Sequence, residues 1–448
     1  MKKAKTAEKK KVLILLLAAL ILIPVSGCWN RRELNNIGIL GAVGIDIQGE
    51  KIIVTTEIIR PKAYGGEARS NQESFVMDQT TGDSVLEALR NATEKFDRKI
   101  FLADCKVFIL SEEAAKKGFM DYMDFWMRDH ESRLYAYVFV VKGAKPSDVM
   151  GKSEGIEDIP SIYLQSLAKA QRANSKSVSI ELLDFIKEYY SIGKQPVCGV
   201  LQLVEMKTEE SQGQKKSTEK AGSDQANSSE SRGEADMTIE ESGKNGDLPQ
   251  NDPDKEKEIL DEGAAVFLKD RLVGFLGGEE TKAVNFVNNK VSSGTIVAKK
   301  PDRVQTVEIL ESKCKREVLL QEDGSIIINL NLKISGSIGE LTGQGKTMVE
   351  DSTEIDLQKI QDANSEVTKK QIEEVITKTQ REFQSDVFGF GLEFHKKYPQ
   401  EWERIKYDWN QKFSTAQVNV QVETTILETG LLRLPTHTLT GEEIMEYD

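Results

Sequence analysis

Chemistry in this sequence starts at one thiol. Residues 21–32 read ILIPVSGCWNRR: an apolar run closes in Val25-Ser26-Gly27, Cys28 and Trp29 follow at once, and Arg31 and Arg32 stand behind them. Small residues ahead of a cysteine let the backbone lie extended in a peptidase groove. Elsewhere the reactive residue types are scattered. His130, His395 and His437 lie far apart without partners at ligand spacing, and no HExxH helix occurs. The run GELTGQGKT ends in Gly345-Lys346-Thr347 and imitates a phosphate-binding loop. Its first glycine position holds Glu340, which opposes phosphate by bulk and by charge. Gly389-Phe390-Gly391 reads as a helix-breaking turn, without the third glycine and preceding strand of a dinucleotide fingerprint. No catalytic set, no metal set and no cofactor are expected.

The residues ahead of the thiol explain it. Lys2, Lys3, Lys5, Lys9, Lys10 and Lys11 face a single Glu8, and an apolar run from Val12 to Val25 follows. That is the charged and apolar order of a secretory signal. The run falls short of the roughly 20 residues of a membrane-spanning helix. Val25-Ser26-Gly27-Cys28 resembles the lipobox of bacterial lipoproteins. The resemblance implies a diacylglyceryl group on the Cys28 sulfur, cleavage after Gly27 and an acylated new amino terminus, with residues 1–27 as signal peptide. Burial contributes about 0.8 kcal/mol per methylene and one chain alone holds marginally, so at least two chains are needed. Trp29 can then sit in the headgroup layer and Arg31 and Arg32 can pair with lipid phosphates. Alternatively, WNRREL packs on the first domain and sets the exit angle of the anchor.

The elements that must carry such an anchor are substantial. With 448 residues, 39% of them hydrophobic, the chain is long enough for two or three domains. Its formal charge is −13, and residues 1–27 hold six lysines and one glutamate, so the remainder carries −18. Such a body does not suit nucleic acid or anionic lipid as a direct partner. Beyond Cys28, the thiols Cys105, Cys198 and Cys314 are too few and too separated for a disulfide framework, though one bridge among them stays open.

Periodicity divides the chain. From Gly38 to Ile59 it predicts strand, turn at Gln48-Gly49-Glu50, and strand; 61–80 is polar and predicts a loop. Val85, Leu89, Ala92 and Phe96 share a helical face, capped by Asp83 or Ser84. CKVFIL, RLYAYVFVV and PVCGVLQLVE predict strands; Ser111 opens a helix, and 146–195 is mostly helical. This N-terminal α/β region spans 28–205. Residues 206–258 are built from Ser, Glu, Lys, Gly, Asp and Asn and cannot offset their ordering entropy, which predicts a disordered insert. A middle region, 259–304, places a hairpin tip at Lys269-Asp270-Arg271 and pairs with the N-terminal part. A C-terminal α+β domain, 305–442, begins with two long strands joined by QEDG. Ile326, Ile328, Leu330, Leu332 and Ile334 form its buried face. Ile372, Val375, Ile376, Thr379 and Phe383 then make a helical stripe, and Trp402, Ile405, Trp409 and Phe413 another, both expected as core against the sheet. The fold class expected is α+β, multi-domain, with antiparallel-rich sheets.

Four stretches carry a family resemblance: CWNRRELNNIGILGAVGID behind the lipobox, FWMRDHESRLYAYVFVVKGAKPSDVM, GAAVFLKDRLVGFL, and DVFGFGLEFHKKYPQEWERIKYDWNQKF. In this order they are similar to the Ger(x)C lipoproteins, the C subunits of nutrient germinant receptors of spore-forming bacteria. Each is moderately specific alone, and together they span almost the whole mature chain. The insert at 206–258 is longer than that pattern. The resemblance implies a three-domain, non-enzymatic protein on the outer face of the spore inner membrane. It also implies two integral-membrane partners, the A and B subunits, the latter resembling an amino-acid transporter. It carries over Cys28 as the lipid site, and Trp29, Arg31, Arg32 and Glu33 match the motif behind it. A competing expectation is a solute-binding lipoprotein that presents a nutrient to a transporter. Such proteins need two doubly wound lobes, which the antiparallel-rich C-terminal half opposes.

Overall fold

A computed structural model describes residues 37–60, 74–96, 98–153, 155–205, 257–300, 303–343 and 356–428, together with Leu13. Residues 1–202 with 261–448 form one unit and 203–260 another. Of the second, 203–205 and 257–260 are described, as the end of one strand and the start of the next.

The first sheet is built around β1 (Ile37–Gln48), buried along most of its length and rich in Ile, Val, Leu and Gly. The polar turn, with Gly49 at φ +62°, returns the chain as β2 (Lys51–Ile59), antiparallel to it. β3 (Phe75–Gly82) extends the sheet antiparallel to β2, where 61–80 had predicted a loop. An edge strand needs backbone pairing more than apolar content. The polar MDQTT stretch supplies it with Thr80 as its inward anchor, the hydroxyl donating to the Ala88 carbonyl at 2.8 Å. That carbonyl belongs to α1 (Val85–Ala92), whose N-cap Ser84 accepts from the Glu87 N–H.

β4 (Lys99–Phe101) and β5 (Val107–Ser111) both run parallel to β1. Ser111 caps α2 (Glu112–Lys117), which is followed by α3 (Met120–Arg128) and β6 (Tyr137–Val141). Next come α4 (Pro146–Val149), α5 (Pro160–Ala170), α6 (Leu182–Tyr190) and β7 (Val197–Glu205). β8 (Lys257–Leu268) and β9 (Arg271–Leu276) form the expected hairpin, with Lys269 at φ +57°. The strand order is β3-β2-β1-β5-β6-β7-β8-β9, with β4 beside β1. The pairs β1–β5, β5–β6 and β6–β7 are parallel; helices cross over from β5 to β6 and from β6 to β7, whereas β2, β3, α1 and β4 lie between β1 and β5, and antiparallel pairs lie toward the edges. The predicted insert, 206–258, lies outside the described residues except for Lys257 and Glu258, which begin β8.

After α7 (Gly278–Val287), a second sheet has the order β10 (Thr295–Lys300), β11 (Arg303–Leu320), β12 (Ile326–Gly343), β13 (Gln417–Glu428). Ile326, Ile328, Leu330, Leu332 and Ile334 are all buried, as alternation required. Between β12 and β13 lie α8 (Leu357–Lys378), a π-helical turn at Thr379–Phe383, α9 (Phe390–Lys397), α10 (Pro399–Ile405) and α11 (Trp409–Thr415). Because helices intervene, β13 joins β12 parallel. The two predicted stripes are core: Ile372, Val375, Ile376, Phe383, Trp402, Trp409 and Phe413 are buried. The fold is α+β, with one continuous set of buried apolar side chains reaching from β1 to β13.

Candidate functional site

Cys28, Trp29, Arg31 and Arg32 lie outside the described residues, as do Gly345-Lys346-Thr347 and His437. The other three thiols are free and buried. Burial pushes Cys105 up to about 12 and Cys314 up to about 11, and it pushes Cys198 well above the ordinary thiol value. Thiols in that state are small hydrophobes rather than nucleophiles. Among the described residues no group of three or more His, Cys, Asp or Glu could hold a metal. His395 stacks on Trp402, with ring centroids 5.4 Å apart.

Asp386 was not among the residues expected from sequence. Its carboxylate is fully buried and accepts five hydrogen bonds. Oδ1 takes the N–H groups of Phe388 (3.2 Å), Gly389 (2.8 Å) and Phe390 (3.2 Å). Oδ2 takes the Gly391 N–H (2.9 Å) and the Trp409 indole Nε1–H (2.8 Å). Burial raises its proton affinity and these donors oppose that. Gly389, at φ +78°, turns the backbone so that successive N–H groups converge. Aspartate followed at three and five residues by glycine was the available signal, and the unpaired look of a lone Asp in FQSDVFGFG hid it.

The same loop stitches the two sheets. The Gln195 N–H donates to the Asp386 carbonyl at 2.9 Å, and the Ser385 hydroxyl donates to the Phe267 carbonyl of β8 at 2.7 Å. From β11, Arg316 donates to the Phe388 carbonyl at 2.8 Å and to Glu393 Oε1 at 2.5 Å. Gly391 lies against Gly193 so closely that a Cβ on Gly391 would be 2.6 Å from the Gly193 Cα.

Two further carboxyls are buried with less support. Glu57, on β2, accepts from the Ser161 hydroxyl at 2.5 Å and from the Ser161 N–H at 3.2 Å, at the start of α5. Burial holds it at about 7, the Ser161 bonds opposing. Asp261, on β8, accepts from the Ser177 hydroxyl and is likewise pushed by burial to about 7. Glu57 Oε2 and Asp261 Oδ2 have no hydrogen-bond partner among the described residues.

Near Asp261 a polar cleft opens in two lobes, about 570 Å³ and about 400 Å³, which share Arg172, Ser179 and Lys290. The larger adds Glu181, Asp184, Lys187, Glu188 and Lys194. The smaller adds the hydroxyls of Ser175, Ser177 and Ser292 and the amides of Gln171 and Asn285. Asn285, on α7, sets this wall. Its Nδ2 donates to the carbonyls of Ser175 (2.9 Å) and Ser177 (3.0 Å), and its own carbonyl accepts the Lys290 N–H (2.8 Å). Asn289, at φ +56°, bonds both ways to the Cys314 backbone, at 2.7 and 3.0 Å, which fixes the turn just before Lys290. Sequence reading missed this site because its residues come from 171–194 and 285–292, segments that meet only in space.

Relatives support the family resemblance. A family described as "Spore germination protein N-terminal domain" matches residues 30–203, and "Spore germination B3/ GerAC like, C-terminal" matches residues 262–430. Spore germination protein KC of Bacillus subtilis (strain 168) is 25% identical over 95% of this chain and 98% of its own. Spore germination protein B3 of the same strain is 22% identical over 95% of this chain and 99% of its own. The crystal structure of the GerBC protein superposes with a TM-score of 0.50 and 15% identity, covering 86% of this chain and 97% of its own, which shows a shared fold. With matched regions on both sides of the insert, this chain belongs to the Ger(x)C, or GerAC-like, family of spore germination proteins.

Proposed function

We propose that this protein is the lipid-anchored, non-catalytic C subunit of a spore nutrient germinant receptor, needed for receptor assembly and nutrient-triggered germination. The observation that carries this reading is end-to-end similarity to spore germination proteins in a chain that presents Cys28 behind a short apolar run. Acyl chains on Cys28 hold the folded body on the extracytoplasmic face of the membrane, beside the integral A and B subunits. Among the described residues no helix is long and apolar enough to cross a membrane. The non-catalytic role draws on how the buried polar groups are spent: Asp386 on five structural bonds, and three thiols held protonated by burial.

The experiment is metabolic labelling with radioactive palmitate during sporulation, beside a Cys28→Ala strain. Label on the wild-type chain, none on the variant, and loss of nutrient response in otherwise heat-resistant variant spores are expected. An unlabelled wild-type chain ends the anchoring claim, and deletion spores that answer every nutrient end the receptor claim. The second reading, a solute-binding lipoprotein, draws on the polar cleft alone.

A further inference from the structure

We propose that the cleft between α6 and the turn after α7 is a binding site for a small oxyanion, a carboxylate or phosphate group held by Arg172 and Lys290. The charges of the cleft sort into two kinds. Lys187 pairs with Asp184 at 2.8 Å, both exposed, and Lys194 pairs with Glu188 at 2.5 Å, both largely buried. Arg172 and Lys290 make no hydrogen bond or ion pair through their side chains among the described residues, although they line both lobes. Glu181 is the one lining carboxylate outside those pairs, so four cations face three acids in a protein whose formal charge is −13.

Arg172 and Lys290 are solvent-exposed where they line the cleft, so both are accessible to a solute. Burial among protein atoms pushes the Lys290 ammonium below its ordinary value; Glu188 and Asp184 oppose and Lys194 adds to the push, while the side chain still reaches water through the mouth of the cleft. An arriving oxyanion supplies what Lys290 lacks. A guanidinium matches a carboxylate or phosphate with two parallel bonds, and an ammonium adds a point charge. The Ser179 hydroxyl, which also lines both lobes, can donate to the solute, while those of Ser175, Ser177 and Ser292 already donate to Ser293, Asp261 and Arg172. The volumes suit a small molecule. Asn285 and Asn289 fix the backbone at Lys290, which lowers part of the ordering cost of binding.

The site does not depend on the anchor: it would survive a failed palmitate labelling, and its own failure would leave the receptor reading untouched. The test is calorimetric titration of the full chain, purified in detergent, with sodium acetate, with inorganic phosphate, and with sodium chloride at matched ionic strength. A saturable heat with acetate assigns a carboxylate site, and one with phosphate assigns a phosphate site; chloride should give neither. Arg172→Ala and Lys290→Ala should each weaken the saturating probe about tenfold to a hundredfold. Lys187→Ala, which removes a paired lysine of the same cleft, should change it less than threefold. Unchanged melting temperatures separate lost binding from lost folding. No saturation with either probe, equal heats with chloride, or variants that titrate like wild type would overturn the site.

Discussion

Trp409 reaches back 23 residues to donate its indole N–H to Asp386 Oδ2 at 2.8 Å, and that one bond ties α11 to the loop that begins α9. Asp386→Ala removes the acceptor of five donors at a fully buried position, so it should destabilise by more than about 3 kcal/mol. Trp409→Phe leaves four of the five and should cost less, about 1.5–3 kcal/mol. Urea unfolding midpoints for the two variants check the order. A milder loss for Asp386→Ala than for Trp409→Phe would refute the idea that the carboxylate organises this loop.

Glycines of two kinds should separate cleanly. A Cβ on Gly391 would lie 2.6 Å from both the Gly193 Cα and Trp409 Nε1, so Gly391→Ala forces packed elements apart and should cost roughly 1–3 kcal/mol or more. Gly324, in the β11–β12 turn at φ +79°, has open space around it, and Gly324→Ala should cost only the left-handed strain, about 1 kcal/mol. Melting curves of the two variants give the comparison.

Stability should fall as pH rises from about 4.5 to 7. Glu57 sits near 7 in the fold against an ordinary 4.5, so the folded chain binds its proton more tightly than the unfolded chain. The stability this contributes is fully present below the unfolded value and is lost as pH climbs through the folded one. Glu57→Gln removes that loss. The variant should match wild type near pH 4.5 and exceed it above pH 7, by a margin on the order of 3 kcal/mol. Asp261, raised in the same direction, should leave a residual slope in the variant. Denaturant unfolding at several pH values measures both.

Thiol chemistry offers a simple check. Cys105, Cys198 and Cys314 are buried and raised, so the native chain should leave all three unmodified by an aromatic disulfide reagent at pH 8 and expose them in urea. Rapid reaction of any one in the native state would contradict the packing around it.

What the sequence made legible followed from periodicity. The alternation of Ile326 to Ile334 marked a sheet face, and the spacing of Ile372 to Phe383 marked a helix stripe. Ser111 announced its helix because capping chemistry is local. β3 was missed because an edge strand can be polar when its neighbour supplies the pairing. Asp386 was missed because a buried carboxylate and a surface one look alike until their donors are known. Arg172 and Lys290 were missed for a similar reason, since 118 residues separate them in the chain and a cleft joins them in space.

The late arrival of β13 has a bearing on biosynthesis. Asn329 of β12 meets Asn419 of β13 across 90 positions, so a ribosome adding about 5–20 residues per second exposes β12 some 5–20 seconds before its parallel neighbour exists. For that interval, one rim of a long hairpin rich in isoleucine and leucine offers free amides and carbonyls, the kind of surface on which nascent chains stick to one another. Helices α8 to α11 emerge in the gap and can shelter the greasy face, but not that rim. A chaperone that holds extended chain would therefore be of most use to this protein while residues 344–416 are being made.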